Sequence, residues 1–291
     1  MERLEVLKTY KLYIGGKFPR TESGRYYTPT GKNNKILGNI CQASRKDFRE
    51  AVVAARSAQA KWAAATAYNR SQILYRIGEM LEGRRTQFEQ ELQLQGSTAS
   101  AAKNEVEAAI DQCVYYAGWC DKYLQVFSSV NPVSSSHFNF SVYQPTGVVV
   151  AVAPEKSALG GLLGTLLPVI VGGNSCILLA SESRPLCAIT LAEVLATSDL
   201  PGGVVNILTG NRKELLQHFA THKDVNAIVG SDLSDEEKSL LRKEATTNLK
   251  RIVFRKDSPE KTESPYSILP LQEIKTTWHP IESSIAAGSS Y

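Results

Sequence analysis

Apolar residues recur at three-and-four spacing through the first half of the chain. Side chains at that spacing lie on one face of an α-helix, so each such segment predicts a helix with one buried face. The segments are 47–62, 69–82, 84–95 and a longer one at 101–127. The first 45 residues lack this spacing and predict short strands and turns, with an early strand and turn at 12–17.

From Gly147 onward the pattern changes to short apolar runs that alternate with helical segments. The predicted strands are 148–153, 176–180, 204–208, 227–229 and 251–254. The predicted helices between them are 159–171, 184–196, 212–221 and 235–245. Strands that alternate with helices of ten or more residues predict an α/β fold with a Rossmann-like, doubly wound parallel sheet. The helical N-terminal part would accompany this sheet.

One uncharged stretch, between Lys156 and Glu182, is long enough to span a bilayer. It even carries two glycines at the spacing of a transmembrane helix pair. Pro168 and the Gly-Gly-Asn sequence at 172–174 divide it into two short pieces. A core helix followed by a buried parallel strand explains both pieces, so we expect no membrane span.

The composition is that of a globular protein of 291 residues, with a net charge of +4. The densest group of basic residues consists of Arg242, Lys243, Lys250, Arg251, Arg255 and Lys256. Glu244 interrupts this group, and no aromatic residues accompany it as they do in a nucleic-acid groove. The pattern therefore favours a solvated face and predicts no nucleic-acid partner.

The five cysteines form no CxxC pair, and their number is odd. Cys176 stands in an apolar run, while Cys113 and Cys120 are a heptad apart, as buried helix positions are. This usage indicates reduced thiols and a cytoplasmic protein, and it argues against disulfides or a metal site.

Three motifs resemble those of the aldehyde dehydrogenase family. They are VYQPTGVV at 142–149, LPGGVVNILTG at 200–210 and HKDVNAIVGS at 222–231. Their order and spacing also agree with that family, and the likeness runs over residues 12–254. The resemblance implies that residues 1–255 form the family's cofactor domain.

The resemblance also implies a cofactor site with three retained positions. Glu182 matches a glutamate that contacts the adenosine ribose, whereas Leu179 replaces the lysine that accompanies it. Gly230 and Ser231 match the turn that receives the pyrophosphate. Glu182 could equally be a solvent-facing loop residue, and the sequence leaves both readings open. We expect these three residues to be vestigial, with NAD binding weak or absent.

Several departures from the family motif surround that site. Lys156 stands where the resemblance places an oxyanion-binding asparagine, and Glu155 brings a carboxylate beside it. Ser234 and Glu237 have the spacing of a capping box, which occupies the amides that would otherwise bind an anion. Carboxylates in that first helical turn also repel a pyrophosphate.

The catalytic residues that the resemblance implies are not in this sequence. The family's general base is a glutamate that follows an Asn-Leu-Lys-Arg stretch, but here 248–251 is followed by Ile-Val-Phe-Arg-Lys-Asp. No cysteine occurs after Cys187, so the family's nucleophile is missing as well. We therefore expect no catalytic residues, no catalytic domain and no enzyme activity.

The C-terminal part resembles the family's oligomerisation arm. A hairpin is predicted at 131–146, where 138–143 alternates, and a returning strand at 273–280. Residues 256–271, which contain three prolines, would form a connector, and 286–291 a disordered tail. This organisation resembles the incomplete second domain of the family 16 aldehyde dehydrogenases, where a truncated copy follows a full enzyme-like domain.

These expectations support more than one function. The first hypothesis is a non-catalytic domain that pairs with itself or with a fuller aldehyde dehydrogenase domain. The alternatives are a weak NAD-binding sensor and a fragment of an NAD-dependent aldehyde dehydrogenase. An enzyme completed by a cysteine from another chain is the least favoured, because the family builds its site within one subunit.

Overall fold

The computed structural model describes residues 6–31, 34–255 and 263–281. The predicted tail at 286–291 lies outside these residues. The first part of the chain contains three short strands and five helices: β1 Thr9–Tyr10, β2 Tyr26–Tyr27, β3 Asn39–Cys41, α1 Arg45–Ala64, α2 Ala67–Glu82, α3 Arg85–Leu94, α4 Ala99–Ala117 and α5 Lys122–Phe127. Two further strands follow, β4 Ser129–Asn131 and β5 His137–Pro145.

Two predictions for this part were wrong in detail. The helix predicted over 101–127 is broken at Gly118, which forms the C-cap of α4, because glycine is a poor residue for a helix interior. Of the strand and turn predicted at 12–17, the turn formed, and in it the amides of Ile14 and Lys17 each bond the other's carbonyl, whereas the strand is reduced to isolated bridges. Gly15 and Gly16 form that turn with φ angles of +61° and +79°, which residues with side chains rarely adopt.

The central sheet has five parallel strands in the order β10-β9-β6-β7-β8. These strands are β6 Val148–Val152, β7 Ser175–Leu179, β8 Val205–Leu208, β9 Ala227–Ser231 and β10 Arg251–Arg255, and the helices are α6 Gly160–Val171, α7 Leu186–Ala196, α8 Arg212–Thr221 and α9 Asp235–Glu244. The predicted doubly wound α/β fold is confirmed. The direction of winding changes between β6 and β9, and folds of this kind bind ligands in the crevice at that point.

Alternate side chains of the sheet enter two separate cores. Val149 and Ala151 of β6 pack into the larger core with α2, α4, α6 and α7. Val148, Val150 and Val152 pack on the opposite face with α1, α8 and α9. Strands buried on both faces are continuous apolar runs, which explains why β6 was visible in the sequence.

The uncharged stretch before Glu182 forms a core helix and a strand, as predicted. α6 has 12 residues, all of them buried, and it contains Pro168. Within the described part of the chain, no helix combines the length and apolar character that crossing a bilayer requires. The five cysteines are all free and buried.

The arm is a three-stranded antiparallel sheet in the order β11-β5-β4, where β11 is Gln272–Pro280. The predicted hairpin strand and returning strand are therefore confirmed. The register pairs Thr277 with Phe140 and Ile274 with Tyr143. Because successive strand residues point to opposite faces, Phe140 lies on one face of the arm and Ile274 on the other.

The connector is more ordered than its prolines indicated. Its described portion, 263–271, forms two 3-10 turns on the larger core, and Ile268 and Leu271 are fully buried. The buried Asn174 side chain donates to the Leu271 carbonyl at 2.9 Å. Residues 256–262 lie outside the described residues.

The prediction that the basic group forms a solvated face was wrong for two of its members. Lys250 is only 7% exposed, and burial lowers its pKa to about 8. Arg255 is half-buried and donates to the carbonyls of Gly164 at 2.7 Å and Ser267 at 3.3 Å. Spacing in the sequence did not reveal this, because Lys250 directly precedes β10 and Arg255 ends it, and the neighbours of that strand come from distant segments.

Candidate functional site

The candidate site is the crevice at the carboxyl ends of β6 and β9. Loops that follow β6, β7, β8 and β9 meet there, since the carboxyl ends of parallel strands share one edge of the sheet. The residues singled out from the sequence all lie in these loops or at the strand ends. Several side chains and backbone amides of these loops form hydrogen bonds between one loop and the next.

Glu155 makes the densest set of contacts at this edge. Its carboxylate accepts hydrogen bonds from the hydroxyls of Ser181 and Ser183, both at 2.8 Å. It also accepts from the amides of Ser183 at 3.2 Å and Glu182 at 3.3 Å. Burial by itself raises the pKa of Glu155, but these hydrogen bonds more than offset it and hold the pKa below its ordinary value. The loop after β6 is thereby bound to the loop after β7.

A second carboxylate spans the crevice itself. The Glu155 amide donates to Asp232 Oδ2 at 3.0 Å, which joins the loop after β6 to the loop after β9. Asp232 has a φ of +53°, a conformation that aspartate tolerates better than most residues. Its carbonyl accepts from Arg212 at 3.3 Å. The chain therefore closes, with its own groups, the point at which doubly wound folds bind ligands.

The structure places the three predicted site residues at the same edge but in separate surroundings. Glu182 is half-buried, and its carboxylate accepts a hydrogen bond from the side-chain Nδ2 of Asn211 at 3.1 Å, so it is not simply a solvent-facing residue. A Cβ at Gly230 would lie 2.3 Å from Leu233 Cδ1, so the glycine makes room for that side chain. Ser231 is buried at the end of β9. Strand β6 separates Glu182 from the other two residues.

The N-terminus of α9 carries the predicted capping box. Ser234 accepts from the Glu237 amide at 3.3 Å, and Glu237 accepts from the Ser234 amide at 2.8 Å. Arg212 forms an ion pair with Glu237 at 2.9 Å. The amides that could receive a phosphate are thus partly occupied by a carboxylate of the same helix.

The N-terminus of α6 is also capped, by a residue that the sequence analysis missed. One oxygen of Glu105, in α4, accepts from the amides of Leu159 at 2.9 Å and Gly160 at 3.1 Å. It accepts from the Ser157 hydroxyl as well, at 3.0 Å. The lack of a polar capping residue directly before Gly160 was the only signal in the sequence, and it did not identify the distant partner.

These contacts decide how well a dinucleotide fits this edge. The serine hydroxyls and backbone amides at this edge bond Glu155, Glu105 and the capping box, and Leu179 offers no polar group. Lys156 is exposed at the position where the resemblance places an asparagine. The residues present therefore do not fit a dinucleotide in this arrangement.

Residues 11–255 match the model of the Aldehyde dehydrogenase family. The chain belongs to this family. A D-glyceraldehyde dehydrogenase (NADP(+)) from Thermoplasma acidophilum is 30% identical over 249 residues, which cover 84% of this chain and 49% of that protein. A 1-pyrroline-5-carboxylate dehydrogenase from Oceanobacillus iheyensis is 29% identical over 257 residues, which cover 86% of this chain and 49% of that protein.

A solved structure shows the same fold. The NAD+ complex of an aldehyde dehydrogenase from Bacillus cereus superimposes with a TM-score of 0.81 at 24% identity, and the match covers 86% of this chain and 51% of that one. This aldehyde dehydrogenase family chain spans about half the length of the curated relatives that it matches.

The prediction that the protein is not an enzyme was wrong. The relatives are named dehydrogenases, and this chain corresponds to only about half of each. The absence of a cysteine after Cys187, and of a glutamate directly after the Asn-Leu-Lys-Arg stretch at 248–251, describes this half alone. The residues of one half do not decide whether the whole protein is active.

Replacement of Glu155 by glutamine tests the bonds between the loops. We expect E155Q to lower the free energy of unfolding at pH 7 by about 1–2 kcal/mol, a modest loss because the carboxylate is only half-buried. A lowered folded-state pKa stabilises the fold above the unfolded-state pKa, and that stabilisation is lost as the pH falls through the folded-state pKa. The difference in free energy of unfolding between E155Q and the unaltered chain, measured by urea unfolding, should therefore shrink below about pH 4. An equal difference at pH 7 and pH 3 would contradict this account.

Proposed function

We propose that this aldehyde dehydrogenase family domain serves in assembly, and that its three-stranded arm binds another protein chain. The observation that carries the proposal is the exposure of large apolar side chains on that small sheet. Val130 is 68% exposed, Phe138 45%, Ile274 62% and Trp278 56%. Soluble proteins seldom leave several such side chains exposed on a small sheet with open edge strands unless another chain covers them.

The anchoring of the arm also supports assembly. Ile268 and Leu271 lie in the core directly before β11, so the arm is attached firmly to the domain. The Arg251 side chain pairs with Glu273 at 2.9 Å and bonds the Gln272 carbonyl. A sheet that is held in this way can transmit a contact to the body of the domain, whereas a loose tail could not.

Two kinds of partner agree with this surface: a second copy of the chain, and a fuller aldehyde dehydrogenase domain. The second copy is the simpler case, because self-complementary two-fold contacts are the commonest form of oligomer. The second kind of partner agrees with the comparisons, because this chain spans only about half the length of its relatives.

Light scattering of the full chain at micromolar concentration tests the proposal. We expect a mass of twice the chain mass, because burial of the exposed arm residues favours association. Substitution of Phe140 and Trp278 together by aspartate should give monomer or aggregate, since one residue lies on each face of the arm. A clean monomer mass for the unaltered chain would mean that the arm needs no second copy, and the proposal of self-assembly would fail.

A further inference from the structure

Glu91 is a carboxyl group buried between two helices and the first strand of the chain. It lies in α3, and only 6% of the residue is exposed. Its Oε1 accepts hydrogen bonds from the hydroxyls of Thr190 in α7, at 2.7 Å, and of Tyr10 in β1, at 3.3 Å. Its Oε2 is buried and has no hydrogen-bonding partner among the described residues. One half of this group therefore lacks the partners that a buried charge requires.

The nearby cations do not neutralise Glu91. Lys8 pairs with Glu193 at 3.4 Å, and its Nζ lies 4.5 Å from the centre of the Tyr10 ring. Arg84 pairs with the same Glu193 at 2.6 Å. Glu91 itself forms no ion pair within the described part of the chain. An ionised carboxylate that is buried without a paired cation is strongly disfavoured.

The surroundings of Glu91 favour its protonated form. The charged and titratable groups that face it from β1, from the residues before β1 and from α7 are Lys8, Tyr10, Cys187 and Glu193. Burial raises the pKa of Glu91, and this outweighs the lowering by the Thr190 hydroxyl, the Lys8 charge and the Tyr10 hydroxyl. Burial also raises the pKa of Tyr10 and of Cys187, so neither loses its proton near neutral pH.

The cover over Glu91 is a short strand. β1 has two residues, and it pairs with β3 only through Thr9 with Asn39 and Tyr10 with Ile40. The Tyr10 ring lies against Gly38, where a Cβ would be 3.0 Å from the ring. A strand held by so few backbone hydrogen bonds opens locally at a lower free energy than the central sheet does. Its opening takes the Tyr10 hydroxyl away from Glu91 and admits water to the carboxyl group.

We propose that Glu91 is a pH-sensitive switch for β1: the protonated carboxyl group holds the strand on α3 and α7, and the ionised group releases it. The only chemical change is the loss of one proton to water. In the closed arrangement an ionised Glu91 leaves Oε2 without a partner, whereas in the open arrangement water solvates both oxygens.

The direction of the pH dependence follows from the raised pKa of Glu91. A group whose folded-state pKa is raised stabilises the closed arrangement fully below its ordinary pKa. That stabilisation is lost as the pH rises through the folded-state pKa. We therefore expect β1 to open more often at neutral pH than in mild acid.

Hydrogen exchange of the full chain, followed by mass spectrometry, measures this opening. The reporters are the amides of β1 and the amide of Asn39, which donates to the Lys8 carbonyl at 3.0 Å. After correction for the intrinsic pH dependence of exchange, we expect their protection to fall at least about tenfold from about pH 4 to about pH 8. The amides of the buried strand β6 are the internal control, and their protection should not fall in parallel.

Three variants identify the titrating group. Glu91→Gln keeps the shape of the side chain and cannot ionise, so protection of β1 should change less than about threefold over the same pH range. Glu193→Gln is the matched control, because it removes the neighbouring carboxylate and leaves Glu91, so the tenfold fall should remain. Thr190→Val removes the 2.7 Å donor to the ionised group, so the fall should continue to higher pH than in the unaltered chain.

The outcomes decide for or against the switch. A fall in protection that is lost in Glu91→Gln and kept in Glu193→Gln supports it. Protection that is independent of pH in the unaltered chain, a fall that persists in Glu91→Gln, or a fall that disappears in Glu193→Gln overturns it. Should Glu91→Gln fail to fold, Thr190→Val decides the matter, and a fall that ends at the same pH as in the unaltered chain overturns the proposal.

Discussion

Replacement of Ile268 by alanine is expected to lower the free energy of unfolding by about 2–4 kcal/mol. Ile268 has no exposed surface and lies in the larger core, although it belongs to the connector rather than to a helix or strand of the cofactor domain. Its removal would leave a cavity beneath the segment that leads into β11. Urea unfolding followed by circular dichroism measures the change.

Tyr266 provides the matched control for this prediction. It stands two residues away in the same connector, is 68% exposed and contacts the ring of Phe127 at 5.4 Å. Tyr266→Ala should cost about 1 kcal/mol or less, because little area is buried there. Equal losses for the two variants would show that the connector does not anchor the arm through the core.

NAD is expected to bind this chain with a dissociation constant weaker than about 1 mM, a binding free energy under about 4 kcal/mol. The crevice between β6 and β9 is closed by the Glu155–Asp232 hydrogen bond. The first turn of α9 adds three carboxylates, at Asp235, Glu236 and Glu237, that repel a pyrophosphate. Calorimetric titration of the full chain measures the constant, and a micromolar value would contradict the interpretation of the crevice.

The variant Glu155→Ala identifies the group that excludes the dinucleotide. Its removal frees the hydroxyls of Ser181 and Ser183 and two backbone amides, all of which now bond the carboxylate. We expect this variant to bind NAD more tightly than the unaltered chain, in the same titration. The hydrogen bond from the Glu155 backbone amide to Asp232 remains in this variant, so unchanged binding would assign the exclusion to that bond or to the acidic start of α9.

The assembly prediction shows where sequence patterning reaches its limit. Alternation along 138–143 and the apolar residues of 273–280 indicated an arm, and both strands formed. From the sequence alone, Phe140 and Trp278 were expected to belong to one exposed apolar surface. Their assignment to opposite faces depends on the register between β5 and β11, which pairs Phe140 with Thr277 and Asn139 with Trp278 and leaves no trace in local spacing.

The candidate site divides in the same way. The Ser234–Glu237 capping box was visible because its two members are three residues apart. The Glu105 cap of α6 and the Glu155 contacts with the Ser181 loop join segments that are distant in sequence. No periodicity encodes such contacts, since each depends on how two elements pack.

By itself, the sequence determined the fold class, the strand and helix order and the family, because buried parallel strands and amphipathic helices impose periodic apolar patterns on the residues that form them. It also determined the local caps and turns, which depend on neighbouring residues. Only the tertiary structure decided that Lys250 is buried, that the connector is docked through Ile268, and that the crevice is closed by Glu155 and Asp232. The physical reason is that burial and long-range hydrogen bonds arise from the meeting of distant segments, so a polar residue has the same appearance in the sequence whether it faces water, a ligand or its own chain.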